Sequence, residues 1–301
     1  MLLSDHETSI QRALLSLDGL SVGDAFGECF FGNPRIAEQR IRRREAPPPP
    51  WEYTDDTAMA LSIVRCLRRR NRIEPDELAK AFALEYGRDP HRGYGGMAHQ
   101  ILRAINQGLP WRVAAGKAFD GQGSCGNGGA MRAAPLGAYF AENPERVIVE
   151  AKASAEVTHA HPDGQTGAIA VALAAAWMAR AKSQSGNPGT APIEFVLEHL
   201  PRTLTYFQLR KALDVPLDTA PEAAAAKLGN GSRVISSDTV PFCLWCAARH
   251  AGNYADALWT AVSVGGDIDT NCAIIGGIVA LSTGREGIPA EWLAAREGIQ
   301  F

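Results

Sequence analysis

The chain has 301 residues, 46% of them apolar and 21% charged, the proportions of an ordinary folded protein. Its 30 basic and 33 acidic residues leave a net charge of -3, which excludes a global field for nucleic acid or an anionic membrane. The length is compatible with two domains. No linker or compositional break divides it, however, so one domain over residues 1–301 is expected.

Apolar residues Ile10, Leu14, Leu17 and Leu20 recur at helical spacing between Thr8 and Gly27, and Gly19, Gly23 and Gly27 repeat every fourth residue. Small residues at that spacing let another backbone approach closely. Asp24, inside Gly-Asp-Ala-Phe-Gly, can cap, pair with an arginine or reach a site. Phe30 to Trp51 reads as a loop stiffened by Pro47 to Pro50. Tyr53-Thr54-Asp55-Asp56-Thr57 follows, with Thr54 as an N-cap and acidic residues in a first turn, as the helix dipole favours. Two adjacent carboxylates nevertheless repel unless something positive sits between them.

Helical patterns continue over Asp55–Arg70, Pro75–Tyr86 and Gly95–Gln107, and the runs Arg42 to Arg44 and Arg68 to Arg70 read as solvated faces or helix C-termini. Five of the nine residues from Gly121 to Gly129 are glycine, and Gly123 to Arg132 is expected to open a further helix. Such a backbone can wrap phosphates with N–H groups, although it matches neither the P-loop nor the dinucleotide fingerprint. His159 and His161 stand beside Asp163 at a helix boundary, where a histidine is buried, caps, or edges an active site. Ser183 to Pro192 reads as a surface loop. Cys243-x-x-Cys246 followed by His250 lies on one helical pattern and reads as core cysteines rather than zinc ligands.

Gly265-Gly266-Asp267-Ile268-Asp269-Thr270 echoes the first acidic cluster, with carboxylates at i and i+2 at the mouth of the apolar helix Ile268 to Thr283. Together Thr54, Asp55, Asp56, Asp267, Asp269 and Thr270 form a hard-oxygen ligand set suited to Mg²⁺, Mn²⁺ or Ca²⁺. Either cluster alone serves equally well as a helix start; the pair favours a metal site. No alternating strand is found, so the fold class is all-α. Cys29, Cys66, Cys125, Cys243, Cys246 and Cys272 lie mostly in apolar runs, as buried thiols do in a reducing compartment. The start of the chain is too polar for a secretory signal, and Ala168 to Ala179 is too short to span a bilayer. A cytoplasmic protein is expected.

Gly-Asp-Ala-Phe-Gly at 23–27, Tyr-Thr-Asp-Asp-Thr at 53–57, Gly-Ser-Cys-Gly-Asn-Gly-Gly-Ala-Met-Arg at 123–132, Thr-His-Ala-His-Pro at 158–162 and Gly-Gly-Asp-Ile-Asp-Thr at 265–270 stand in the order seen in ADP-ribosylglycohydrolases. From about residue 15 to 285 the chain resembles that family. The resemblance implies a compact single-domain orthogonal helical bundle with two Mg²⁺ (or Mn²⁺) ions at the bottom of a cleft. It also implies an ADP-ribosylated protein substrate and ADP-ribose as product.

The ions would be held by Thr54, Asp55 and Asp56 from one side and Asp267, Asp269 and Thr270 from the other. Gly123, Ser124, Gly126, Asn127 and Gly128 would cradle the diphosphate and adjoining ribose, His159 would lie beside ribose and phosphate, and Phe119 would cover adenine. Cys125 stands in the substrate-binding stretch where many relatives have an aromatic residue, leaving part of the adenine sandwich to be supplied elsewhere. A glutamate that relatives carry seven or eight residues after the Asp24 position is absent. Either Glu28 takes its place, or the catalysis rests on the aspartates Asp55, Asp56 and Asp269. Hydrolysis of a small ADP-ribose conjugate, or ADP-ribose binding alone, are the other functions such a site would serve.

Overall fold

The computed structural model describes residues 5–181 and 188–299. The expected Ser183–Pro192 loop lies partly outside them, as do the first residues of the N-terminal segment. Among the described residues there is no strand, and only two isolated bridges, Trp51 with Arg296 and Gly126 with Ile235. The helices are α1 (Asp5–Glu28), α2 (Pro34–Arg43), α3 (Asp55–Arg70), α4 (Pro75–Arg88), α5 (Gly96–Asn106), α6 (Trp111–Gly116), α7 (Ala134–Tyr139) and α8 (Pro144–Glu156). They continue with α9 (Pro162–Ala181), α10 (Ala191–His199), α11 (Leu204–Arg210), α12 (Pro221–Leu228), α13 (Ser236–Arg249), α14 (Tyr254–Ser263), α15 (Ile268–Thr283) and α16 (Ala290–Ala295). The all-α expectation holds, and none of these helices is long and apolar enough to cross a membrane.

Helices α1 and α15 form the most extensive contact and make the centre of the bundle. Their closeness follows from the glycines. A Cβ on Gly23 would lie 2.2 Å from the Cys272 carbonyl oxygen, and one on Gly19 would lie 2.4 Å from that of Gly276. Helix α15 is buried over almost its whole length, as a helix that is apolar all round must be. At the far end of α1 the Phe26 ring stacks on Trp292 at 4.4 Å, with Trp51 and Trp259 packed around it. These contacts fix the end of α1 that carries Asp24.

Two local expectations are corrected. Residues 34–43, expected as part of a loop, form α2. Asn33 caps it by accepting from the Arg35 N–H at 3.0 Å, Pro34 fills its first turn, and Arg44 ends it in the left-handed region. No residue of α2 is fully buried, and only Ala37 and Ile41 pack part-buried against the core, which leaves a short, largely charged segment easy to read as loop. The glycine-rich segment does not open a helix at once. It makes a single 3-10 turn over Asn127–Gly129, and α7 begins only at Ala134. Glycine loses more conformational freedom in a helix than other residues do, which keeps the segment irregular.

The arginine runs sit where the helix dipole favours them, in the last turns of α2 and α3. Cys243 and Cys246 are core residues of α13, while His250 hydrogen-bonds Thr260 at 2.9 Å. All six cysteines are free; Cys29 and Cys125 are part-exposed rather than buried.

Candidate active site

Three chain segments converge at one end of the α1–α15 pair. Asp24 is fully buried and accepts hydrogen bonds from the Thr54 and Thr57 N–H groups, each at 3.0 Å, and from their hydroxyls at 2.8 and 2.5 Å. It thereby satisfies amides at the start of α3 that have no partner within their own helix. Thr54 is the N-cap that the sequence suggests, its hydroxyl accepting from the Asp56 N–H at 3.4 Å. Asp56 and Asp269, from the first turns of α3 and α15, each keep one buried carboxylate oxygen with no hydrogen-bond partner. One oxygen from each of Asp24, Asp56 and Asp269 lies within 4.8 Å of the others.

Buried carboxylates so close together resist ionisation. Burial first, then the neighbouring carboxylates, push Asp55 up to about 8 and Asp269 up to about 9, and Asp24 and Asp56 rise as well. Arg132 opposes this at Asp55 alone. A donor set of hard oxygens with two orphaned buried members suits a divalent ion. The residues present therefore fit the metal that the resemblance implies.

The acidic cluster opens into a cavity of about 400 Å³. Asp55, Asp56, Asp267, Asp269 and Thr270 line one end, and Ser124 to Gly128 with His159 line another wall. Asn127 joins the two, its side-chain amide donating to Asp267 at 2.6 Å. Gly123 does not line the cavity but shapes the loop. At φ +77° its Cα lies so close to Ala160 and His161 that a Cβ would be 2.6 Å from the His161 nitrogen. The amides of Ser124, Cys125 and Gly128 have no acceptor among the described residues, which leaves them available to an anion in the cavity. Phe119 stands half-exposed on the rim.

His159 is held in one tautomer. The Arg132 guanidinium, which can only donate, reaches the Thr158 hydroxyl at 2.9 Å, and that hydroxyl lies 2.8 Å from His159 Nδ1. Having accepted from Arg132, the Thr158 hydroxyl donates its hydrogen bond to Nδ1, which leaves Nε2 as the N–H. Nε2 packs against Gly126 and Gly128, where a Cβ would lie 3.3 Å away, at the cavity wall. Burial and the nearby Arg132 push the ring down to about 3, so it is a neutral donor at physiological pH.

Two of the expected site residues stand apart. Thr54 spends its hydroxyl on Asp24 and, with Glu28, lines a neighbouring pocket of about 240 Å³ together with Glu52, Asp89, His91 and Glu297. Glu28 is exposed and outside the main cavity, although it is near enough to raise Asp269. Asp24 and Arg132, which the sequence leaves without a definite role, prove central. For Asp24 the one clue is its place between Gly23 and Gly27 on the close-packed face of α1. For Arg132 there is none, because its hydroxyl partner lies 26 residues away.

A sequence model described as ADP-ribosylglycohydrolase matches residues 5–300. The chain belongs to the ADP-ribosylglycohydrolase family. It is 30% identical to the human ADP-ribosylhydrolase ARH3, over 97% of this chain and 91% of that protein. The Xenopus tropicalis ADP-ribosylhydrolase ARH3 is 29% identical, over 96% and 92%. The ADP-ribosyl-[dinitrogen reductase] glycohydrolase of Rhodospirillum rubrum is 30% identical over about half of each chain, 50% and 52%. A solved structure of an ADP-ribosylglycohydrolase-related protein complex superposes with a TM-score of 0.64 at 25% identity, covering 96% of this chain and 93% of that one. The all-helical bundle is thus that of an established family of hydrolases.

Proposed function

We propose that this chain is a divalent-metal-dependent hydrolase that cleaves the N- or O-glycosidic bond between ADP-ribose and a modified protein side chain, reversing mono-ADP-ribosylation. It would act as one catalytic domain, residues 1–301, in the reducing environment of the cytoplasm that its free cysteines suit. The observation that carries the reading is the pair of orphaned carboxylate oxygens on Asp56 and Asp269, set at the acidic end of a cavity whose other wall offers unpaired amides.

Thr54, Asp55, Asp56, Asp267, Asp269 and Thr270 would hold two Mg²⁺ (or Mn²⁺) ions, with Asp24 clamping the start of α3 behind them. When bound, the ions supply Lewis acidity to the distal ribose and to the attacking water. The residues of the chain do the rest. Amides of the Ser124 to Gly128 loop hold the diphosphate, and His159 donates from Nε2 to a ribose or phosphate oxygen. Phe119 covers the base. Asp269, which lines the cavity, takes the proton from water, and Glu28 faces the acceptor side from the adjoining pocket.

The test is release of ADP-ribose from arginine-, serine- and threonine-linked ADP-ribosyl peptides, each assayed with Mg²⁺ and with EDTA. Metal-dependent release from one linkage supports the reading and names the acceptor. Retention of ADP-ribose on all three peptides, with free ADP-ribose still bound by the protein, refutes it in favour of a small conjugate or a binding role.

A further inference from the structure

The N–H groups that open α3 have no partners in the helix's own ladder and find them elsewhere. Those of Thr54 and Thr57 go to Asp24, and that of Asp56 goes to the Thr54 hydroxyl. The Asp55 N–H goes to a main-chain carbonyl far along the sequence, that of Arg92, at 2.6 Å. Arg92 lies in the segment between α4 and α5. The next residue, Gly93, has φ +84°, and a Cβ on it would rest 3.5 Å from Asp55 Oδ1. The backbone of 92–93 therefore flanks the one carboxylate of the first acidic pair that no hydrogen bond to Asp24 or Thr54 holds.

What holds that backbone is the Arg92 side chain, which lines the pocket adjoining the main cavity. Its guanidinium is 20% exposed, and every nitrogen is engaged. Nη1 and Nη2 donate to the two Glu297 carboxylate oxygens at 2.6 and 2.8 Å, Nη1 also donates to the Tyr53 carbonyl at 2.8 Å, and Nε lies 3.0 Å from Asp89. The guanidinium rests 4.2 Å from the centre of the Tyr53 ring. Glu297 is anchored in turn. Its N–H donates to the Trp51 carbonyl at 2.8 Å, the Trp51 N–H donates to Ala295 at 2.7 Å, and Trp51 is buried against Phe26 and Trp292.

An isolated surface ion pair adds little to folding. A bidentate pair with a further bond to the carbonyl two residues before Asp55 fixes geometry instead. It joins the segment after α16, the α4–α5 segment and the residues leading into α3, and this unit meets the main cavity at Gly93 and Asp55. We propose that Arg92 and Glu297 are positioning residues for the divalent ion, their ion pair fixing the carbonyl and the glycine that set Asp55 as a ligand. The inference rests on the metal site of the proposed function. Outer partners of metal ligands govern affinity by about 10- to 100-fold without touching the ion.

The test is Mg²⁺ binding by calorimetry to the parent protein, Glu297→Gln, Arg92→Lys and the double variant, with each melting temperature recorded in EDTA. Lysine keeps the charge but cannot reach both Glu297 oxygens and the Tyr53 carbonyl in one plane. Each single variant should bind Mg²⁺ about tenfold more weakly. The double variant should bind it no more weakly than either, because both changes break one clamp. Melting temperatures in EDTA should fall by only about 2 °C, and raising Mg²⁺ should restore the rise it causes in the parent. Arg12→Lys is the control: Arg12 is held by Ala138, Glu142 and Ser9 in the first half of α1, outside the cavity lining, and its loss should leave Mg²⁺ binding unchanged. Parental Mg²⁺ affinity in Glu297→Gln and Arg92→Lys overturns the inference and leaves the proposed function standing. So does a loss that Arg12→Lys shares, or one that follows the melting temperature across all variants, since either is a general loosening of the fold. A parent protein that binds no Mg²⁺ overturns the metal-dependent reading itself, and the clamp with it.

Discussion

Removing the metal exposes the electrostatic conflict at the centre of the site, and its sign can be worked out. Asp55 and Asp269 are raised to about 8 and about 9 in the folded protein, against 3.8 for an unhindered carboxyl. Groups raised in this way contribute stability that is fully present below the unfolded value and is lost as pH rises through the folded one. Between about pH 6.5 and pH 8 the metal-free folded state therefore holds one to two protons on Asp55 and Asp269 alone that the unfolded state has released. Each such proton costs about 1.4 kcal/mol of stability per pH unit. Unfolding a chain of 301 residues carries an entropy near 0.6 kcal/mol per kelvin, taking ~2.1 cal/mol/K per residue. One to two protons then lower the melting temperature by about 2 to 4 °C per pH unit.

His159 acts in the opposite sense, since a ring lowered to about 3 removes stability only as pH falls below its unfolded value near 6.5. It acts only on the lower edge of the window, as does His250, lowered to about 4 by burial first, so the slope is read between about pH 7.5 and pH 8. The assay is thermal unfolding in EDTA across that window, repeated with excess Mg²⁺. The slope should appear in EDTA and vanish with Mg²⁺, because an ion keeps the carboxylates charged on both sides of the window. A flat melting temperature in EDTA would refute the account of the carboxylate cluster.

Asp269→Asn is expected to lose Mg²⁺ binding and ADP-ribose release together, the latter by at least about a hundredfold; full turnover would reject the metal assignment. Thr158→Val removes the hydroxyl between Arg132 and His159. Nitrogen-15 NMR of the ring should then show a mixture of tautomers, with ADP-ribose bound several-fold more weakly, whereas a ring still protonated only at Nε2 would refute the relay. Gly23→Ala places a Cβ 2.2 Å from the Cys272 carbonyl and should destabilise the fold by about 3 kcal/mol, or roughly 5 °C in melting temperature. Mg²⁺ affinity should fall in the same variant, and an unchanged melting curve would show that α1 and α15 can part without cost.

Features governed by neighbouring residues are legible in the sequence alone. Thr54 before Asp55 and Asp56 is an N-cap with acidic first-turn residues, and both acidic clusters stand at helix starts as their sequences suggest. The glycine spacing in α1 correctly announces a close helix contact. Helix α2 escapes because it is short and mostly charged, with only Ala37 and Ile41 resting part-buried on the core. The folding of Gly123 to Arg132 escapes because its conformation is set from outside, by Val234, Ser236 and the turn at Ala160 and His161. The separation of Glu28 from the cavity likewise depends on where α1 ends relative to residues far along the chain, among them Glu52 and Glu297. No local pattern carries that information.

Asp24 shows how the long-range and local terms combine. The amides that begin α3 would ordinarily be capped from their own chain segment, yet Asp24 takes two of them from α1, along with the Thr54 and Thr57 hydroxyls. That locks the register of Asp55 and Asp56 to α1. Gly23, one residue earlier, locks α1 to α15 and so to Asp269. Two contacts of very different kinds, a borrowed cap and a glycine crossing, thus hold three carboxylates within 4.8 Å against their mutual repulsion. The surrounding core supplies the force, since the buried apolar faces of α1, α3 and α15 cannot separate without exposing themselves. A cation that enters this cluster relieves a strain already present in the fold, so its binding energy appears directly as folding stability. Mg²⁺ affinity and the rise in melting temperature with Mg²⁺ should therefore change together in any variant that loosens either contact, and a variant that changed one without the other would separate the cluster from the core that holds it.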